Sequence, residues 1–463
     1  MTANTDTDDA PRGLSGKLDT LRQMVSTILT EDSEEARAKR TGATALAIRV
    51  AAAGIAYASH VLMARFLGSF EYGIFAYIWV WATILGPTST LGFSHSVYRF
   101  VPQYGETGDD ALARGFIFGG GIFVALTALS IAVIGSLGVY FFRESIQTYY
   151  VMPFVIGMAL VAFFAVQDFI EGIARAYSWI ATAVAPPFIL RQSLIVFGVG
   201  LVILTGGPAD AISAIVVAII SSAISMIVHI LLVRHRLKSV LKPGPRSFDY
   251  WVWIKTSIPI LSVDLSHVLF AYADIIVLSF YWPPDVIAVY FAATRILQLV
   301  HFVRYAATAA TAQRFSANSA SGNHDKLKSL AQVAVRWTFW ASLAGASFVV
   351  VTGPQLLGMF GADFGVGYSA LVLLAAGVVI QSVAAPGEDL LNMTGHERVS
   401  AVISIASVAL NFALNLAFVP TYGVMGAASA TVLAMAIRTL MLGIAARKQL
   451  GIEVFVWNVR KDS

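Results

Sequence analysis

The chain has 463 residues, 57% of them hydrophobic and only 13% charged, with a formal net charge of +4. So little polar residue cannot cover a soluble globule of this size, which excludes a water-soluble fold and requires lipid around much of the surface. Cysteine is absent, which excludes disulfides, thiolate–metal sites and a cysteine nucleophile.

Residues 1–42 are polar, with Asp6, Asp8 and Asp9 near the start, so no cleavable signal is expected before the first span. Within them Leu14, Leu18, Leu21, Val25 and Ile28 recur at helical spacing with Lys17, Asp19 and Arg22 between. That fits either an amphipathic helix on the inner membrane face or a disordered extension. Twelve stretches of about 20 apolar residues follow, over 43–64, 72–95, 115–141, 149–170, 179–205, 209–233, 255–281, 286–312, 330–352, 367–386, 399–419 and 422–446.

Lysine and arginine set the orientation. With the N-terminus cytoplasmic, the inner side receives the cluster Arg234, Arg236, Lys238, Lys242, Arg246 and Lys255, while the outer loops keep only Arg65 and Arg143. Both termini are therefore expected inside. Pro243, Gly244 and Pro245 mark residues 234–254 as a basic linker between a first lobe (43–233) and a second (255–446), with a cytoplasmic tail over 447–463. This topology accounts for the sequence pI of about 9.1 and calls for no nucleic-acid partner.

The two lobes look like copies. Tyr72-Gly73-Ile74-Phe75 aligns with Ile287-Ala288-Val289-Tyr290, and Arg99-Phe100 aligns with Arg314-Phe315 in the same register. Near the lobe ends, Gly207 with Ala211, Ser213 and Ala214 matches Gly423 with Ala427, Ser429 and Ala430. The expected fold is an all-α polytopic membrane protein of about twelve helices, two lobes of six related by a pseudo-two-fold along the membrane normal. A carrier of this kind holds its site between the repeats.

Ionisable residues inside the spans point to that site, because a charge at mid-bilayer costs about 2.5–3.5 kcal/mol even on the lenient insertion scale. Arg191 lies near the middle of the fifth span, just beyond Pro186-Pro187. Arg295 and Arg304 fall on opposite faces of the eighth, with His301 on the face of Arg304. Arg49 and Arg438 sit nearer the cytoplasmic ends, where snorkelling to headgroups competes with a cavity role. In the seventh span Asp264, His267 and Asp274 occupy an arc of about 80°. They either neutralise the eighth-span arginines or relay a proton or cation. Pro87 and Pro259 are candidate hinges, since each removes a backbone hydrogen bond.

No chemistry of bond-making has a seat here. The glycine-rich lysine loop that cradles ATP phosphates is missing, and His396-Glu397-Arg398 lacks the second histidine of a zinc helix. Asp6-Thr7-Asp8 has the spacing of a sugar-nucleotide metal motif but lies in the polar tail. The longest outer loop, between Gly353 and Gly367, is too short for an extracytoplasmic catalytic domain. The expectation is a transporter with no catalytic residues, no cofactor and no metal.

The run Arg65-Phe66-Leu67-Gly68-Ser69-Phe70-Glu71-Tyr72-Gly73-Ile74-Phe75, then Leu91-Gly92-Phe93-Ser94 and Arg99-Phe100-Val101-Pro102, resembles the opening of the polysaccharide transporter (Wzx-like oligosaccharide flippase) family of the multidrug/oligosaccharidyl-lipid/polysaccharide superfamily. Val419-Pro420-Thr421-Tyr422-Gly423-Val424-Met425-Gly426-Ala427-Ala428-Ser429-Ala430-Thr431 resembles its closing pattern. In these patches Gly73 and Gly423 permit tight turns and close helix contact. The resemblance implies two lobes around a central cationic cavity and flipping of undecaprenyl-diphosphate-linked oligosaccharides across the bacterial inner membrane. O-antigen, capsule or exopolysaccharide assembly would use the product, with membrane lipids, a polysaccharide polymerase and chain-length machinery as further partners. A cation-coupled drug antiporter of the same superfamily is the first alternative, but residues 43–64 carry Arg49 and no carboxylate. The lipid II flippase branch has two further helices, and a membrane polysaccharide polymerase needs a large outer loop.

Overall fold

A helix of 56 residues is about 84 Å long, nearly three times the hydrocarbon thickness of a bilayer, and cannot be one straight span. In this computed structural model, which describes residues 34–298, 300, 301, 315 and 324–458, the first helix α1 (Glu34–Ser89, 56 residues) meets that limit at Gly68. Its φ of 77° and ψ of 171° are open to glycine alone, so the chain turns there and starts a second leg. The apolar positions between Leu14 and Ile28 lie outside the described residues.

After α1 come α2 (Phe93–Thr107), α3 (Asp110–Phe141), α4 (Thr148–Gly157) and α5 (Ala159–Ala176). Then follow α6 (Ile180–Val184), a π-helical turn over Ala185–Leu190, α7 (Arg191–Leu204) and α8 (Ala211–Val240). The second half holds α9 (Tyr250–Tyr281), α10 (residues 284–298 with 300 and 301), α11 (His324–Phe360), α12 (Tyr368–Ser382), α13 (Pro386–Met393) and α14 (Glu397–Leu450). Like α1, the 54-residue α14 is broken at a glycine, Gly423 (φ 53°, ψ −127°). Among the described residues there is no strand, and nine helices are long and apolar enough to cross a membrane, the two broken ones among them. On α3 the exposed side chains Phe118, Ile122, Leu126, Leu129, Val133, Leu137 and Tyr140 repeat at intervals of three and four. An apolar stripe of that length facing outward is a lipid-facing surface.

Ala211 opens α8 just after Gly207, and Ala427 lies one turn past the break at Gly423. Tyr72 and Tyr290 are both fully buried. Gly73 lies so close to the Pro284 backbone that an added Cβ would overlap its carbonyl. Around this point one hydrophobic core runs across both halves, joining Phe75 and Ile78 to Ile276, Phe291, Phe360 and Phe364. Arg65 closes the same end by donating from Nε to the Met359 carbonyl at 2.6 Å, and Tyr57 donates to the Leu356 carbonyl at 2.8 Å.

Several boundaries differ from the sequence expectation, and two of them shape the surroundings of the site. The second span stops at Ser89, before residue 95, because Pro87 interrupts the ladder and the turn through Leu91 and Gly92 takes positive φ. Hydroxyls also donate to carbonyls of this turn: Thr88 to Ile84 at 2.6 Å and Thr90 to Pro87 at 2.8 Å. The basic segment from Arg234 is helical as far as Val240, which leaves 241–249 as the extended connection. That connection is pinned on α3, where Arg114 donates to the carbonyls of Lys242 and Pro245 at 2.9 and 2.8 Å. The helix that follows, α9, serves both halves. Trp253 is fully buried in the aromatic core of α2, α3 and α5 and donates to Tyr104 at 2.9 Å, while the Phe270 carbonyl accepts from Asn411 of α14 at 3.1 Å.

Candidate functional site

Two consecutive prolines cannot donate to a helical ladder, and here they are absorbed by the π-helical turn. The Pro186 carbonyl accepts from Ser225 of α8 at 2.6 Å, Ser225 accepts from Gln167 of α5 at 2.8 Å, and the Gln167 carbonyl oxygen faces Arg191 Nη1 at 3.4 Å. The Arg191 guanidinium lies over the Phe164 ring at 4.3 Å and the Trp79 ring at 5.6 Å. From the second half, Arg295 on α10 lies over Phe291 at 4.4 Å and Tyr272 at 5.9 Å and donates to Gln298 at 3.3 Å.

Both arginines line one cavity of about 300 Å³, together with His60, Gln192 and Gln298. The Nε of each is buried and has no hydrogen-bond partner among the described residues. A buried donor left unmade costs about 1–3 kcal/mol, more on a charged group, so this wall offers two unused donors to an acceptor. Arginine on aromatic faces is also the side chain suited to bidentate contact with phosphate.

A second cavity of about 280 Å³ in the second half shares Tyr272, Arg295 and Gln298 with the first and is also lined by His301, Asp274 and Arg438. Arg438 is 5% exposed and donates to Glu388 of α13 at 2.7 Å. It is tied inside the protein and does not reach a headgroup. The seventh-span trio shares a helix face but not a partner. Asp264 meets His95 of α2 at 2.7 Å, and His267 meets Glu388 at 3.4 Å. Asp274 is buried and accepts from Tyr290 at 2.5 Å and Thr431 at 3.1 Å. Pro87 lines the first cavity, and α9 continues through Pro259 without a break. Arg304 and the side chain of Arg49 lie outside the described residues.

Sequence reasoning passed over Gln167, Ser225, His60, Asp168, Glu171 and Glu388. Asp168 was in reach, being a carboxylate inside the apolar stretch 149–170; Glu388 stands two residues beyond the stretch ending at 386. The Gln167–Ser225 bond joins neutral residues on separate helices and leaves no signature in composition or spacing.

Residues 39–316, more than half of the sequence, match the family described as "Polysaccharide biosynthesis protein". The chain belongs to that family. Residues 259–417 also match the MatE family. Among curated proteins, this family member is similar to a probable low-salt glycan biosynthesis flippase, Agl15, of Haloferax volcanii, at 21% identity over 37% of each chain. It is also similar to a probable flippase, AglR, of the same organism, at 25% identity over 38% of each chain. The matches thus span less than two fifths of either relative. Among solved structures, the inward-facing conformation of a multidrug resistance MATE family transporter of the MOP superfamily shares the fold, with a TM-score of 0.71 at 17% identity, covering 87% of this chain and 94% of that one.

Proposed function

We propose that this protein flips an undecaprenyl-diphosphate-linked oligosaccharide from the cytoplasmic to the outer leaflet of a bacterial inner membrane, for surface polysaccharide assembly, and is not an enzyme. The observation that carries the reading is the pair Arg191 and Arg295, one from each half, facing one cavity with an unpartnered Nε apiece. A diphosphate supplies the acceptors such a wall lacks, and two arginines from opposite halves clamp it from both sides. The polyprenyl tail stays in lipid. Family membership and the flippase names of the curated relatives support the reading.

Transport would follow by alternating access of two six-span lobes, both termini being cytoplasmic. The end at Gly68, sealed by Arg65, Tyr57 and the Gly73–Pro284 contact, is then the outer end, and the present state is inward-facing. Side chains toward the opposite end support an inner opening, His95 and Asp264 being 45% and 31% exposed. A headgroup bound between the arginines lowers the cost of bringing the halves together on the inner side, because it neutralises two like charges.

The test is complementation of a strain lacking the protein. Arg191→Gln and Arg295→Gln should each leave completed lipid-linked oligosaccharide on the cytoplasmic face and cut surface polysaccharide about tenfold or more, the loss of one buried charge-assisted contact. Full restoration of surface polysaccharide by both variants would refute the clamp. Unchanged lipid-linked sugar with new sensitivity to cationic drugs would assign the protein to cation-coupled antiport.

A further inference from the structure

The arginine cavity does not end at the arginines. Asp168 and Glu171, at i and i+3 on one face of α5, line it and also line an adjoining hollow of about 250 Å³ with Ser94, His95, Tyr98 and Arg175. Along α5 the order is Phe164 beneath Arg191, then Gln167, then Asp168 and Glu171, so the two ends are about 10 Å apart. Their chemistry is opposite. The far end carries Asp168 and Glu171, with Asp264 beyond His95, against Arg175 and His95.

These groups are not equivalent. Glu171 accepts from Arg175 Nε at 2.8 Å, and Asp264 faces His95 Nδ1 at 2.7 Å. Asp168 has the Ser94 hydroxyl beside its carboxyl but keeps one oxygen, Oδ2, that is buried and without a hydrogen-bond partner among the described residues. A buried carboxylate oxygen with no donor is the complement of the guanidinium nitrogens at the other end, and it calls for a neutral or cationic donor. Tyr98, 42% exposed and edge-on to His95 at 5.8 Å, adds an aromatic face beside it.

We infer that this second hollow is a sugar subsite, in which Asp168 accepts hydrogen bonds from the hydroxyl or amine groups of the glycosyl residues next to the diphosphate and disfavours a sugar bearing a carboxylate there. The inference rests on the diphosphate reading of Arg191 and Arg295, since it places the sugar by anchoring the phosphates. An aligned row of phosphate donors followed by sugar acceptors fixes which way round the headgroup enters. A site built to accept from a hydroxyl discriminates strongly against a group that cannot donate, and like charge adds a repulsive element.

The experiment uses the full-length protein in nanodiscs and three probes: undecaprenyl diphosphate, undecaprenyl-diphosphoryl-glucose and undecaprenyl-diphosphoryl-glucuronic acid. The expected result is that the glucose carrier binds about tenfold more tightly than the glucuronic acid carrier, and that Asp168→Asn reduces this ratio to below about twofold. Asp168→Ser, which removes the same charge with a smaller side chain, is read on the same ratio if Asp168→Asn does not fold, and a ratio it leaves unchanged overturns the subsite as well. Equal binding of both sugar carriers by the parent protein, or a ratio that survives the substitution, overturns the subsite. Failure of the reading beneath it looks different: Arg191→Gln would then leave the affinity for bare undecaprenyl diphosphate unaltered.

Discussion

Replacing Arg438 by methionine should destabilise the second half far more than replacing Arg438 and Glu388 together. Arg438 and Glu388 are 5% and 6% exposed and 2.7 Å apart, so neither charge has water to fall back on. Removing one partner of a buried pair costs about 3–5 kcal/mol, because the other charge stays behind, whereas removing both is often close to neutral. His267, at 3.4 Å from Glu388 and 42% exposed at its side chain, can take over part of the compensation. That places Arg438→Met at the lower end, about 3 kcal/mol. Thermal unfolding of the purified protein in detergent gives the assay, with Arg438→Met, Glu388→Gln and the double variant forming a cycle. The double variant should recover about 2 kcal/mol or more of the single loss. Additive losses would mean that the two residues do not depend on each other and would refute the argument. Transport by the double variant then tells whether Arg438 has any role beyond this bond.

Gly73→Val should loosen the sealed end, since its side chain meets the Pro284 backbone, at a cost of about 1–3 kcal/mol in thermal unfolding. Gly423→Ala places a side chain at φ 53° and ψ −127° and should cost a similar amount, about 1–3 kcal/mol, while Gly451→Ala, at a left-handed helix cap, should cost about 1 kcal/mol. On the proposed diphosphate clamp, Gln167→Leu should weaken binding of undecaprenyl diphosphate about tenfold in the parent and add nothing in an Arg191→Gln background, because Gln167 would act through Arg191. Equal losses in both backgrounds would sever that link. Val454→Asp should disrupt the packing of the segment after α14 against that helix, as Val454 is fully buried beside Ala446 and an unpaired buried carboxylate is costly.

The all-helical membrane class was legible because bilayer thickness imposes a length on every apolar stretch, and the Gly423 break was flagged by its place in the duplicated pattern. The Gly68 break was legible as the connection left between the stretches 43–64 and 72–95, although nothing in the sequence singled out Gly68 as the residue that takes the turn. Arg191 could be found by depth alone: nothing apolar surrounds a mid-bilayer arginine without a reason. Its supports could not, because Gln167 and Ser225 are neutral and distant in sequence. Helical geometry sets Asp264, His267 and Asp274 within an arc of about 80°. A single face nevertheless passes different neighbours along a helix of 32 residues, so the shared direction did not mean a shared partner.

The way α9 is buried changes what the connection before it can do. Its first turns are keyed into the first half through Trp253 and Ser257, the latter bonded to Ser96 at 2.9 Å, while its last turns belong to the second. Cutting the backbone within 241–249 would therefore not yield two independent pieces. The carboxyl-terminal fragment would carry a tongue that fits a slot in the amino-terminal one, and the two should reassemble when co-expressed. The covalent crossing should then be dispensable where the buried helix is not, and in the proposed alternating access any swing of the halves would be taken up by flexure along α9 itself.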